Sequence, residues 1–350
     1  MPQAVAVIIW VGVVAYSVLA GADFGSGTWD LLAGGADRGG AVRHRIDRSL
    51  GPVWEANHVW LIFVLVYLWT SFPTAFAAVA TTVYVPLLLA ALGIVFRGAS
   101  FMFRRSSSTV GEARWFGMLF AASSVLTPFF LGAAAGAVAS GRVPLAGNGG
   151  PVASWVTPTS MLGGVLAVCT CAWLAAVFLH ADAVRDGEAD LAAWFRTRAL
   201  AMGVVVGVVG VAGELVVRND APTLAAGLHG RALPVVVLSA LAGVAALLLV
   251  AKGRAEVARF AAAGAVAGIV VAWGVAQYPW LLVDELTISD GAASTATLVG
   301  VLVAFALAGL LVVPALVWLL RLTDRGRLED LRGRDDSSAA LLARSGRPSH

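Results

Sequence analysis

Charge is what this chain has least of. Asp, Glu, Lys and Arg make up 13% of its 350 residues, against 59% hydrophobic residues and a mean hydropathy of +0.85. Soluble domains carry about a quarter charged residues, so a soluble globular class is excluded and a polytopic membrane protein is expected. Lysine is all but missing, with one residue beside 23 arginines; no mechanism is read into that. The net charge is only +3, and the basic residues lie between apolar runs. They speak for membrane orientation and against a nucleic-acid partner. The two cysteines, Cys169 and Cys171, fall two apart inside an apolar run, on different helix faces. Neither a disulfide nor a metal pair is expected, and without a CxxCH run covalent haem attachment has no support. Histidine is scarce too: His44, His58, His180, His229 and His350. Only His58 and His180 fall near membrane depth, and nothing marks either as an axial ligand, so no haem is expected on this chain. No spacing supports a Ser-His-Asp or metal-hydrolase centre.

What the chain does have is long apolar runs. Nine reach the roughly 20 residues that a crossing needs: 5–32, 52–71, 74–96, 115–139, 158–179, 199–217, 233–251, 257–276 and 293–320. Pro73 marks a tight corner between the second and third. The expected fold is all-α with about nine transmembrane helices, as two four-helix bundles plus a peripheral ninth helix. Residues 1–322 form the membrane domain, and 323–350, rich in Arg, Asp, Ser and Gly, a disordered tail. The Gly/Pro/Asn-rich stretch 141–158 reads as a loop. No basic n-region precedes the first run and no cleavage site follows a short apolar core, so that run is expected to stay in the mature protein. Loops after the odd-numbered runs hold thirteen Lys and Arg, the opposite loops three, and the tail seven. That asymmetry predicts an outside N-terminus and a cytoplasmic C-terminus.

The chemistry-bearing stretch is SLGPVWEANHVWLI, residues 49–62. Gly51-Pro52 suits a helix start, because proline lacks a donor that the first turn leaves unpaired anyway. On that helix Glu55 and His58 are three apart and share a face, with Trp54 four before His58. An acid and an imidazole at the mouth of a membrane helix are costly and point to function. Asp23, in AGADFGSGTWD, lies about 27 Å from Val5 along a helix. Asp30 closes the same segment. Arg97, in VFRGASFMFR, ends the third run at the same expected depth. Mutual pairing is the cheapest relief for such charges. Plainer readings stand beside each: Asp23 as the cap of a loosened helix end, Arg97 snorkelling, Glu55 and His58 solvated at the interface. Trp54 and Trp60 fit an aromatic belt and are candidate contacts for a quinone or lipid. Asp284, Glu285 and Asp290 lie in an outer loop, where plain solvation competes with docking or a proton exit.

These segments resemble the second subunit of cytochrome bd-type quinol oxidases. AGADFGSG, RSLGPVWEANHVWLI, TSFPTAFAA, FRGASFMFR, FFLGAAAG, GVAQYPWLL and ELTISDGAAS occur in family order across nearly all of residues 1–320. The resemblance implies a bacterial plasma-membrane oxidase that oxidises quinol and reduces O2 to water. It implies a partner, subunit I, carrying haems b558, b595 and d, while this chain binds none; a structural quinone and a small accessory subunit are further family features to look for. It also implies a proton route through Glu55, with His58 and Asp23 nearby and Arg97 tuning their charge. The family more often has Asp-Gly-Asn followed by Glu or Gln where this chain reads Glu55-Ala56-Asn57-His58. A proton-coupled transporter and a purely structural membrane subunit are the alternatives.

Overall fold

The computed structural model describes residues 1–50, 54–106 and 109–324. The side chains of 36–38, 50, 54–56, 105, 106, 110, 113, 312, 313 and 315–324 lie outside the described residues, as does most of the expected tail. The chain divides into two compact units, Met1–Ala293 and Ser294 onward. The second holds α12 (Thr295–Asp324), which starts where Ser294 Oγ accepts from the Thr297 backbone N–H.

In the first unit the apolar runs become α1 (Pro2–Leu32), α3 (Trp54–Ser71), α4 (Pro73–Thr82), α5 (Tyr84–Ser106), α6 (Val110–Ala139), α7 (Pro158–Arg185), α8 (Ala189–Asp220), α10 (Leu233–Ala251) and α11 (Ala255–Gln277). A polar helix, α2 (Ala36–Leu50), and a short one, α9 (Pro222–His229), lie between them, with a small antiparallel hairpin, β1 (Trp280–Leu282) and β2 (Leu286–Thr287). Among the described residues seven helices are long and apolar enough to cross a membrane: α1, α7, α8, α10, α11 and most of α5 and α6.

The corner expected at Pro73 is there: α3 and α4 meet at 119°. Phe72 leaves helical geometry at φ −138° and ψ 61°, and Pro73 opens a new helix because its ring cannot continue the old hydrogen-bond ladder. Two local expectations need correction. The helix expected over 74–96 is split at Val83, and its second part runs on to Ser106. That extension keeps Arg97 and Arg104 inside one helix. The basic stretch after α1 is not a plain loop: Val42 and Ile46, four apart, are buried and give α2 one apolar face.

α1 is central, packing against α3, α6, α7 and α11, while α7 also meets α6 and α8 and α10 lies on α8 and α11. Small residues permit this. A Cβ on Gly25 would collide with the backbone carbonyl of Cys171, so α1 and α7 approach to backbone contact. Gly132 and Gly136 do the same against Gly163 and Ser160, whereas Gly207 has open space beside it. Trp29 Nε1 donates to the Ala172 carbonyl at 2.8 Å, pinning the same interface.

Candidate functional site

Three polar residues of α1 recur at two-turn intervals. Tyr16, Asp23 and Asp30 are seven apart, which keeps them near one stripe of a helix with 3.6 residues per turn. On α5, Arg97 and Arg104 have the same spacing. The two helices present these stripes to each other around Phe120 of α6.

Asp23 and Arg97 are each 2% exposed and form a two-pronged ion pair. Arg97 Nη2 donates to Asp23 Oδ1 at 2.6 Å, Nη1 donates to Oδ2 at 3.2 Å, and Nη2 also reaches the Asp23 backbone carbonyl at 3.1 Å. Its Nε donates to Ser124 Oγ at 2.9 Å. Phe24 and Phe120 each lie 5.0 Å from the guanidinium carbon. A buried pair holds only when geometry and extra hydrogen bonds offset desolvation, and here every guanidinium nitrogen has an acceptor. The helix-end and snorkelling readings of Asp23 and Arg97 give way to mutual pairing.

Asp30, also buried, is clamped from two sides. Arg104 Nη1 donates to its Oδ2 at 2.5 Å and Arg43 Nε to its Oδ1 at 2.8 Å. Arg104 also holds Asp47 of α2, and its guanidinium carbon sits 5.0 Å from the Phe120 ring. Phe120 thus lies against two guanidinium groups, each neutralised by its own carboxylate. On its other side α2 is tied to the turn between α7 and α8. Buried Arg45 donates to Asp186 Oδ2 at 2.5 Å and Glu188 Oε2 at 3.2 Å, and Ser49 Oγ donates to Asp182 Oδ2 at 3.0 Å. The Arg45 hydrogen bond holds the Asp186 carboxyl below the usual carboxylate range.

His58 approaches this cluster from α3 without joining it. Its ring lies 5.7 Å from Phe24 and 6.3 Å from Tyr16, and Nδ1 is enclosed with no hydrogen-bond partner among the described residues. Asn57 Nδ2 donates to the Leu19 carbonyl at 3.4 Å, tying α3 to α1. Trp60 packs edge-on against Phe63 at 6.1 Å. Trp54 and Glu55 open α3, but their side chains lie outside the described residues. In the loop after α11, Asp284 accepts from Thr223 Oγ1 of α9 at 2.9 Å and Asp290 from Thr287 Oγ1 at 2.5 Å, which braces the loop.

Sequence reading missed Arg43, Asp47, Arg104, Ser124, Phe120 and Tyr16. One signal was there to be read: the seven-residue spacing of Asp23 and Asp30 matches that of Arg97 and Arg104.

Of the described histidines, His180 Nδ1 faces the Ala192 carbonyl at 2.9 Å while its Nε2 is enclosed without a partner among the described residues, His229 Nδ1 faces the Ala225 carbonyl at 2.8 Å, His44 is exposed, and aromatic rings crowd His58. No group of three or more His, Cys, Asp or Glu gathers for a metal among the described residues.

The model of the family "Cytochrome bd terminal oxidase subunit II" matches residues 1–323. The chain is 25% identical over 209 residues to cytochrome bd ubiquinol oxidase subunit 2 of Bacillus subtilis, covering 59% of each chain. It is 29% identical over 207 residues to cytochrome bd-I ubiquinol oxidase subunit 2 of Escherichia coli, covering 55% of this chain and 50% of that one. These matches span about half to three fifths of the relatives' lengths. A chain in the structure of bd oxidase from Geobacillus thermodenitrificans superposes with a TM-score of 0.72 at 24% identity, over 92% of this chain and 98% of that one, and shares the fold.

Proposed function

This chain belongs to the cytochrome bd terminal oxidase subunit II family, and on that premise we propose that it is the non-haem subunit of a quinol-oxidising, O2-reducing membrane complex. Its partner is a haem-bearing subunit I, which carries the haems b558, b595 and d; a structural quinone or lipid beside Trp54 and Trp60 and a small accessory subunit belong to the same reading. The chain crosses a bacterial plasma membrane nine times, as two four-helix bundles and a peripheral helix. Its N-terminus is outside and its C-terminus cytoplasmic, in line with the arginine asymmetry between loops.

Its own chemical task is to deliver cytoplasmic protons for the reduction of O2. Glu55 takes them up at the head of α3, His58 relays them through its imidazole, and Asp23 and Arg97 set the field around the path. The observation that carries this reading is the Asp23–Arg97 pair: a fully satisfied charge pair sealed between Phe24 and Phe120 within reach of an imidazole. Two ions so deep in a membrane domain are expensive unless they serve the site. The pair sets two opposite charges beside the path without a net buried charge.

The test is purification from native membranes, followed by reduced-minus-oxidised spectroscopy and quinol-driven oxygen uptake. A haem-rich partner with uptake activity is expected. A chain that purifies alone and colourless contradicts the reading and favours a transporter.

A further inference from the structure

Two enclosed polar atoms on neighbouring rings, Tyr16 Oη of α1 and His58 Nδ1 of α3, have no partner among the described residues. Their rings lie 6.3 Å apart and tilted by 50°, too far and too oblique to be simple stacking. Enclosed polar atoms are seldom left unbonded, because each costs its desolvation without return; where two meet, an ordered water is the usual occupant. Both side chains are only half-buried as residues, while these atoms are shielded. His58 thus reaches from an accessible edge into the interior. Asp23 of α1, Arg97 of α5 and, for Tyr16, Cys171 of α7 lie within electrostatic reach. A neutral hydroxyl and an imidazole beside a paired charge make a polar spot that a water can hold with two or more hydrogen bonds.

The seven-residue stripe on α1 gives this spot a direction. From Asp30 to Asp23 to Tyr16 each step is about 10.5 Å at 1.5 Å per residue. Phe24 and the His58 ring fill the space beside the last step. Beyond Asp23, Tyr16 is the next polar side chain on that stripe.

We propose that one ordered water bridges Tyr16 Oη and His58 Nδ1, and that this hydroxyl–water–imidazole link is the inward leg of the proton path, with Tyr16 one of its residues. The second half of the proposal rests on the function proposed above. A proton leaving His58 Nδ1 enters the water. The water or Tyr16 releases an equivalent proton inward, to the O2 reduction that consumes it, and each group returns to its starting state.

The experiment takes the whole complex through two readouts. In density that resolves waters, a peak within hydrogen-bond distance of both Tyr16 Oη and His58 Nδ1 is expected; an empty gap overturns the proposal. In parallel, Tyr16→Phe and His58→Leu should each slow oxygen uptake about tenfold or more, with quinol KM and haem spectrum unchanged. The double variant should be no slower than the slower single one, because both act through one water. Independent slowing, or wild-type uptake in Tyr16→Phe despite a visible water, overturns the relay. Should His58→Leu fail to assemble, His58→Gln keeps an amide that can anchor the water but not pass a proton, and should be as slow. Normal turnover in Glu55→Ala would instead sink the function proposed above while leaving the water peak in place.

Discussion

Asp30 and Arg104 repeat, seven residues further along their helices, the pairing of Asp23 with Arg97, and both pairs are separated by 74 residues in the chain. The two rungs differ in enclosure. Arg97 is buried and bound only within the helices, whereas the Arg104 side chain is 11% exposed and shares its charge with Asp47 of α2. The inner rung is sealed and the outer one anchors a surface helix. Phe120 joins them by lying against both guanidinium groups.

Breaking the inner rung from one side should cost more than removing it. Asp23→Asn strands a buried guanidinium and should destabilise the first unit by about 3–5 kcal/mol, while the double variant Asp23→Leu, Arg97→Leu should recover much of that. Thermal melts of the detergent-solubilised complex measure both. A double variant worse than the single would contradict the assignment.

The α1–α7 contact should tolerate no side chain at Gly25. Gly25→Ala drives a Cβ into the Cys171 backbone, which has no freedom to yield. Loss of assembled complex is expected, read by size-exclusion profile and haem recovery. Gly207→Ala, with nothing beside it, should leave the fold intact and raise stability by up to about 1 kcal/mol through helix propensity.

The tie between α2 and the α7–α8 turn should respond to acid. Because Arg45 depresses the Asp186 carboxyl, the folded state binds this proton less readily than the unfolded one. The tie therefore contributes fully above the ordinary carboxylate range, near pH 4, and is lost as pH falls through the lower folded value. Amide exchange in α2 should stay slow at neutral pH and rise only in acid. In Arg45→Ala it should be fast already at neutral pH; slow exchange there would show that Arg43 and Asp47 alone hold the helix.

Much of this architecture was legible in the sequence. Apolar runs placed the crossing helices, because a stretch that must hide its backbone from lipid has to be long and uncharged. Asp23 and Arg97 stood out because a charge in such a run demands a partner. The bend at Phe72 was half visible in Pro73, but its angle depends on packing. The α2 helix hid behind its charge: two buried apolar residues four apart are a faint signal among four arginines in 36–50. Tyr16 was silent, since a tyrosine in an apolar run reads as packing until its hydroxyl is seen enclosed without a partner among the described residues.

The central claim is that protons reach the oxygen chemistry through the head of α3. Its most direct test is proton uptake by the purified complex carrying Glu55→Gln, followed with a pH-sensitive dye during a single reaction with O2. The account predicts uptake slowed about a hundredfold, with the reduced-minus-oxidised haem spectrum unchanged. Uptake at the wild-type rate would contradict it.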